Sequence, residues 1–120
     1  MPSPAKPIPV KLLKKHLRYD PETGHLWWKV RGHARQWQKP AGSVNKVTGY
    51  RKVRVCGTIY NAARVCWALF TGTDAPPKMV IDHINGVRDD NRWENLRLLT
   101  WRENALNRKV TYNIAPLARN

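Results

Sequence analysis

Acidic residues are scarce in this chain. Its 120 residues carry 8 Asp and Glu against 22 Lys and Arg, a formal charge of +14. The surplus is spread along the sequence, so a solvated tail does not account for it and a polyanionic partner is the default expectation. A basic, ribosome-like or merely soluble protein with no catalytic site is the alternative that charge alone leaves open. Cysteine is scarce too. Cys56 and Cys66 cannot complete a four-cysteine zinc site, and a reducing cytoplasm would keep both as thiols, packed among their apolar neighbours. No apolar run has membrane-spanning length, and the opening "MPSPAKPIPV" lacks the hydrophobic centre of a signal peptide, so the expected location is cytoplasmic. The length suits one compact unit with a modest core.

What is present falls into four stretches. Residues 1–9 carry four prolines and are expected as an extended, poorly ordered arm. Residues 10–78 are expected to hold an N-terminal helix and a basic antiparallel sheet. "VKLLKKHLRYDPETG" reads as one short helix with Val10, Leu13 and Leu17 on a face, broken by "DPETG", after which "HLWWKVRG" reads as a strand and residues 32–40 as a loop. "AGSV", "GYRKVRVCG" and "TIYNA" are short β-prone runs separated by turn residues, which predicts three antiparallel strands. In "YRKVRV" the period of two puts Tyr50, Lys52 and Arg54 on one face, for phosphate contact, and Val53 and Val55 on the other. "AARVCWALFTG" predicts a buried helix closed by Gly72, followed by a turn at "DAPPK". Residues 79–109 form the third stretch and 110–120 a tail. No internal repeat is evident, and the fold class is α+β.

The stretch "KMVIDHINGVRDDNRWENLRLLTWRENALNRK" holds the densest chemistry. "KMVIDHI" and "NLRLLT" predict strands, "NGVRDDN" a polar turn, and Thr100 with Glu103 a capping box opening a helix over "WRENALNRK". A carboxylate and an amide carbonyl are hard oxygen ligands suited to Mg²⁺, Mn²⁺ or Ca²⁺, so Asp82 from the first strand and Asn104 from the helix can share one ion. A neutral imidazole with a reference pKa of about 6.5 can take a proton from water, which is the role open to His83. Neighbours on a regular strand face opposite ways, so Asp82 and His83 can reach one site only where the strand ends or bends, and Asn85 with Gly86 supply the bend. Taken singly, each of these residues has an ordinary structural use; the joint spacing makes the case. His16, His25 and His33 have no companion at ligand spacing and are expected at the surface or in packing.

Here "DHINGVRDDNRWENLRLLTWRENALNR" resembles the HNH endonuclease motif, the ββα-metal site, in the form found in small phage-encoded and homing enzymes. "YDPETGHLWWK", "AGSVNKVTGYRKVRV" and "ARVCWALFTG" are similar to companions of that motif, so the resemblance covers roughly residues 18–108. It implies a metal-binding acid at Asp82, a general-base histidine at His83, a central asparagine at Asn95 that holds loop and second strand in register, and a second metal ligand at Asn104. Asn91 and Asn107 are the alternative assignments. Two departures stand out: Ala63 occupies a position where members often have histidine, and the motif's last letter is Asn104 instead of His, which disfavours zinc.

The resemblance implies a metal-dependent DNA endonuclease, Mg²⁺ being the first expectation, that acts on double-stranded DNA in a bacterial cell or phage-infected host. His83 would deprotonate the attacking water, leaving 5′-phosphate and 3′-hydroxyl ends. Arg92 or Arg97 would hold a phosphate oxygen, and Arg102, Arg108 and Lys109 would grip neighbouring phosphates. One site cuts one strand, so a monomer would nick and a double-strand break would need a homodimer or two events; the sequence does not choose. A non-catalytic DNA-binding regulator or packaging accessory is the main rival, a zinc-dependent non-specific nuclease the second, and RNA stays open as substrate.

Overall fold

The computed structural model describes residues 7–29 and 39–106. The first helix, α1, covers Val10–His16, with Lys14, Lys15 and His16 in its last turn, where cations complement the helix dipole. The expected continuation through Tyr19 is not formed. Leu17–Asp20 is instead strand β1, antiparallel to β2, His25–Trp28, with Leu17 opposite Trp28 and Asp20 opposite His25. Leu17 is buried in either conformation, so apolar periodicity does not distinguish them. The turn at Pro21–Gly24 does, because it folds the chain back into a ladder that pairs the backbone of both strands. The end of the proline-rich arm is also packed: Ile8 is 6% exposed and its N–H donates to the Asp74 carboxylate. The remainder of that arm, most of the expected 32–40 loop with His33, and everything after residue 106 lie outside the described residues.

The middle of the chain follows its alternation. Strands β3 (Ser43–Val44), β4 (Arg51–Val55) and β5 (Thr58–Asn61) form one antiparallel sheet in that order. Val53 and Val55 point into the core while Lys52 and Arg54 are exposed. Cys56, expected to pack, is exposed in the β4–β5 turn at φ 49°, 3.6 Å from His16 Nε2; Cys66 does pack. Burial pushes the Cys66 thiol well above its ordinary pKa, so it stays protonated.

Helix α2, Ala62–Thr71, is the hub. Asn61 caps it by accepting from Ala63 and Arg64 N–H, and Gly72 closes it in the left-handed conformation at φ 88°. The helix packs against α1, β1, β4 and β5, and its Val65 and Cys66 join Leu13, Leu17, Leu26, Val53 and Val55 in the core. Burial of each such aliphatic side chain contributes about 1.5–3 kcal/mol relative to exposure. Phe70 departs from the all-round burial expected of this helix; half exposed, it stacks one ring face on Trp93 at 3.9 Å.

Strands β6, Met79–His83, and β7, Leu96–Thr100, then pair antiparallel, separated by a loop and a 3-10 turn at Trp93–Asn95. The capping box forms as read: Thr100 Oγ1 accepts from Glu103 N–H and Glu103 Oε1 from Thr100 N–H, opening a helix described over 101–106. Strand, loop, strand and helix follow one another in the order the sequence implied. No helix among the described residues is long and apolar enough to cross a membrane.

Candidate active site

His83 is the last residue of β6, opposite Leu96, and Asp82 stands opposite Arg97. Both lie in the regular ladder, where neighbouring side chains face opposite ways: Asp82 meets Arg97, and His83 lines a cleft that Asp82 does not. The His83 ring is 6% exposed. Its Nε2 lies 2.8 Å from Asn91 Oδ1, and Asn91 is itself 2% exposed. With the amide oxygen facing it, Nε2 carries the proton and donates, leaving the Nδ1 lone pair as the basic position. Asn91, an alternative in the motif assignment, is thus the residue in contact with the imidazole. The ring of Tyr50 flanks His83 at 6.1 Å between centroids.

The loop between β6 and β7 is shaped by side-chain amides. Asn85 Oδ1 accepts from Val87 N–H, and Gly86, at φ 78°, makes the reversal. Asn95, buried, accepts from Asn85 N–H through Oδ1 and donates through Nδ2 to Asn85 Oδ1 and to the Asp90 carbonyl, while its backbone carbonyl accepts from Ile84 N–H. Asp90 accepts from Arg92 and from Asn85 Nδ2, and the Arg92 hydrogen bonds chiefly hold its carboxyl down at about 2. A second set of contacts ties this loop to the middle sheet. Arg88 lies 4.9 Å over the Tyr50 ring and donates to the Thr48 carbonyl, and Arg51 forms a two-point ion pair with Asp89.

The remaining expected residues are placed as follows. Asp82 Oδ2 accepts from Arg97 Nε and Nη2 at 2.9 and 2.8 Å, so Arg97 is engaged with that carboxylate. Arg92 is engaged with Asp90 and Glu94. Asn104 is half-buried, and its amide makes no hydrogen bond among the described residues. Arg102 is exposed, as are Lys52 and Arg54 on the sheet, but Tyr50 is drawn away from that open face by Arg88 and His83. Arg108, Lys109 and Asn107 lie outside the described residues.

His83 opens into a cleft of about 570 Å³ whose walls include Tyr50, Ala63, Arg64, Lys78 and Trp101. Ala63, the position that departs from the motif's companions, thus fronts this space with a methyl group. Lys78 takes the left-handed conformation at φ 69°, which costs a non-glycine residue on the order of 1 kcal/mol. Among the described residues no group of three or more His, Cys, Asp and Glu gathers in a metal-binding arrangement. The Asp82 carboxylate and the Asn104 amide are donors of the kind an oxygen-seeking divalent cation takes more readily than zinc does, but Asp82 is engaged with Arg97 and neither residue lines the cleft beside His83.

The profile of a family described as HNH endonuclease matches residues 60–106, from β5 through the last described helix. A solved structure described as DNA binding and cleavage by the HNH homing endonuclease I-HmuI aligns with a TM-score of 0.63 at 21% identity, over 92% of this chain and 61% of the other. The chain therefore spans about 61% of the length of that neighbour. No curated protein matches the sequence significantly. The matched span takes in α2 and the β6–β7 hairpin with its amide-laced loop and the buried His83; over these residues the chain is similar to the HNH endonuclease family, and over most of its length it shares the fold of that neighbour.

Proposed function

We propose that the protein is a metal-dependent DNA endonuclease that nicks one strand per site. The observation that carries this reading is the buried His83 imidazole, held through Nε2 by the buried Asn91 amide, on a residue that lines the cleft. A protein that only binds DNA has no use for an imidazole fixed in one tautomer, which weighs against the regulator or packaging reading. His83 Nδ1 takes the proton of the attacking water. Asp82 and Asn104 are the residues that would hold a divalent ion, which when bound supplies Lewis-acid stabilisation of the crowded phosphate and departing oxygen. Mg²⁺ is the first candidate. Asn95 shapes the loop and makes no contact with substrate. The exposed Lys52, Arg54 and Arg102, with Lys78 at the cleft, neutralise backbone phosphates of duplex DNA. The neighbour I-HmuI, whose description names DNA binding and cleavage, makes DNA the first substrate to test.

The test is supercoiled plasmid incubated with Mg²⁺, Mn²⁺, Zn²⁺ or EDTA and scored for nicked and linear forms. The wild type should nick with Mg²⁺ or Mn²⁺ and stop in EDTA. His83→Ala should lose about 10²–10⁴-fold in rate, the usual cost of a missing general base, and still bind DNA. Near-normal nicking by that variant would sink the assignment.

A further inference from the structure

The motif match leaves "YDPETG", residues 19–24, without a task, and the structure puts that turn directly behind Asn91. The Tyr19 hydroxyl, on β1, donates to the Asn91 backbone carbonyl across 72 residues of sequence. Two residues on, Trp93 N–H donates to the Pro21 carbonyl at 3.0 Å. Between these bonds lies Gly24, at φ +80°. A Cβ built there would stand 2.5 Å from Arg92 N and 2.6 Å from the Asn91 carbonyl carbon, both backbone atoms that have no side-chain freedom with which to yield. Trp93 is wedged beside them against Phe70 and Trp67, at 3.9 and 4.9 Å between centroids. The backbone of 91–93 is thus gripped on both flanks, and the Asn91 side chain is left with a short reach to His83 Nε2, 2.8 Å away.

We infer that the β1–β2 hairpin is a positioning device for His83: Tyr19 and Gly24 fix the Asn91 backbone, and Asn91 in turn fixes the tautomer and orientation of the imidazole. Neither Tyr19 nor Gly24 touches substrate; both act through Asn91. Burial raises the Tyr19 pKa well above the ordinary phenol value, so the hydroxyl remains a donor across the working range. The upstream hairpin then belongs to the chemistry more than to DNA docking. In its effect on rate this inference rests on the nuclease reading; in its effect on the imidazole it does not.

The experiment compares wild type, Tyr19→Phe, Gly24→Ala and Asn91→Ala by two readouts. The first is the ¹⁵N spectrum of the His83 ring, taken without DNA or metal at one alkaline pH. The wild type should show the Nε2–H tautomer, Asn91→Ala a mixture, and Tyr19→Phe an intermediate shift. The second is the nicking rate at saturating plasmid, measured well below each variant's melting temperature, beside the Kd for the same DNA. Loss of one neutral hydrogen bond, converted at about 1.4 kcal/mol per factor of ten, predicts a 3- to 10-fold lower rate for Tyr19→Phe, a larger loss for Asn91→Ala, and an unchanged Kd. Gly24→Ala should resemble Asn91→Ala if it folds; Tyr19→Phe removes one oxygen atom and keeps the test decisive if it does not. A Tyr19→Phe protein with the wild-type tautomer and rate overturns the inference. If the wild type cuts nothing with any metal, the nuclease reading fails, and the tautomer spectra still decide the positioning role.

Discussion

Removing the side chain of Asn95 should cost more stability than removing any surface asparagine, and the structure gives the size of the loss. Its amide makes three hydrogen bonds, to Asn85 N–H, Asn85 Oδ1 and the Asp90 carbonyl, all at 2.8–2.9 Å, from a residue 4% exposed. Each such bond is worth about 0.5–1.5 kcal/mol net, and an orphaned buried partner costs more. Asn85 is exposed and recovers water on truncation, whereas the Asp90 carbonyl belongs to a partly buried residue, so Asn95→Ala should lose about 2–3 kcal/mol. At about 4 °C per kcal/mol for a domain of this size, the melting temperature should fall by roughly 8–12 °C. Circular dichroism melts without metal or DNA measure this directly. A double-mutant cycle with Asn85→Ala should recover a coupling of about 1 kcal/mol, because Asn95 Nδ2 donates to Asn85 Oδ1, the one bond between the two side chains. A melting temperature within about 2 °C of wild type would refute the view that Asn95 holds the loop.

Replacing Lys52 and Arg54 together by Ala should raise the Kd for duplex DNA and flatten its log–log salt dependence by about two units; parental binding at every salt concentration would confine contact to the β6–β7 region and the cleft. Asp90 is held at about 2, chiefly by Arg92, below its unfolded value near 3.9, so its contribution to stability is complete above pH 4 and drains away as the pH falls toward 2. Urea titrations at pH 7, 4 and 3 should therefore show a shallower acid loss for Asp90→Asn than for wild type, and equal slopes would discount the pair. Lys78→Gly should show opposed effects: relief of the left-handed strain adds about 0.5–1 kcal/mol of stability, while loss of a cation at the cleft weakens DNA binding. A variant that is less stable than the parent would show that the Lys78 side chain has a packing role.

Local chemistry was legible in the sequence wherever neighbours in the chain are neighbours in space. The capping box at Thr100 and Glu103, the Gly72 helix end and the alternation through Val53 and Val55 all belong to that class. The β6–β7 strand order belongs there as well, whereas the register that sets Asp82 opposite Arg97 and the ion pair it creates come from the structure alone. The end of α1 was misplaced because Leu17 suits the apolar face of a helix as well as the buried side of a strand; only pairing with Trp28 separates the two. Asn91 could be offered only as an alternative, for a different reason. In sequence it is one more polar residue after two aspartates, and its burial depends on Tyr19 and Gly24, which no spacing rule connects to it. Tyr50 shares its period with Lys52 and Arg54, but its contacts with Arg88 of the β6–β7 loop and with His83 are ones that no strand alternation reveals.

The loop that carries Asn91 is bracketed by long closures: Tyr19 to Asn91 spans 72 residues, Arg88 to Thr48 spans 40, and Arg51 to Asp89 spans 38. Contacts of such separation demand loop entropy before they return any enthalpy, so they form late. Along the chain the basic β3–β5 sheet precedes the loop that supplies Asn91, so the neighbours of the imidazole are joined to it only through these long closures.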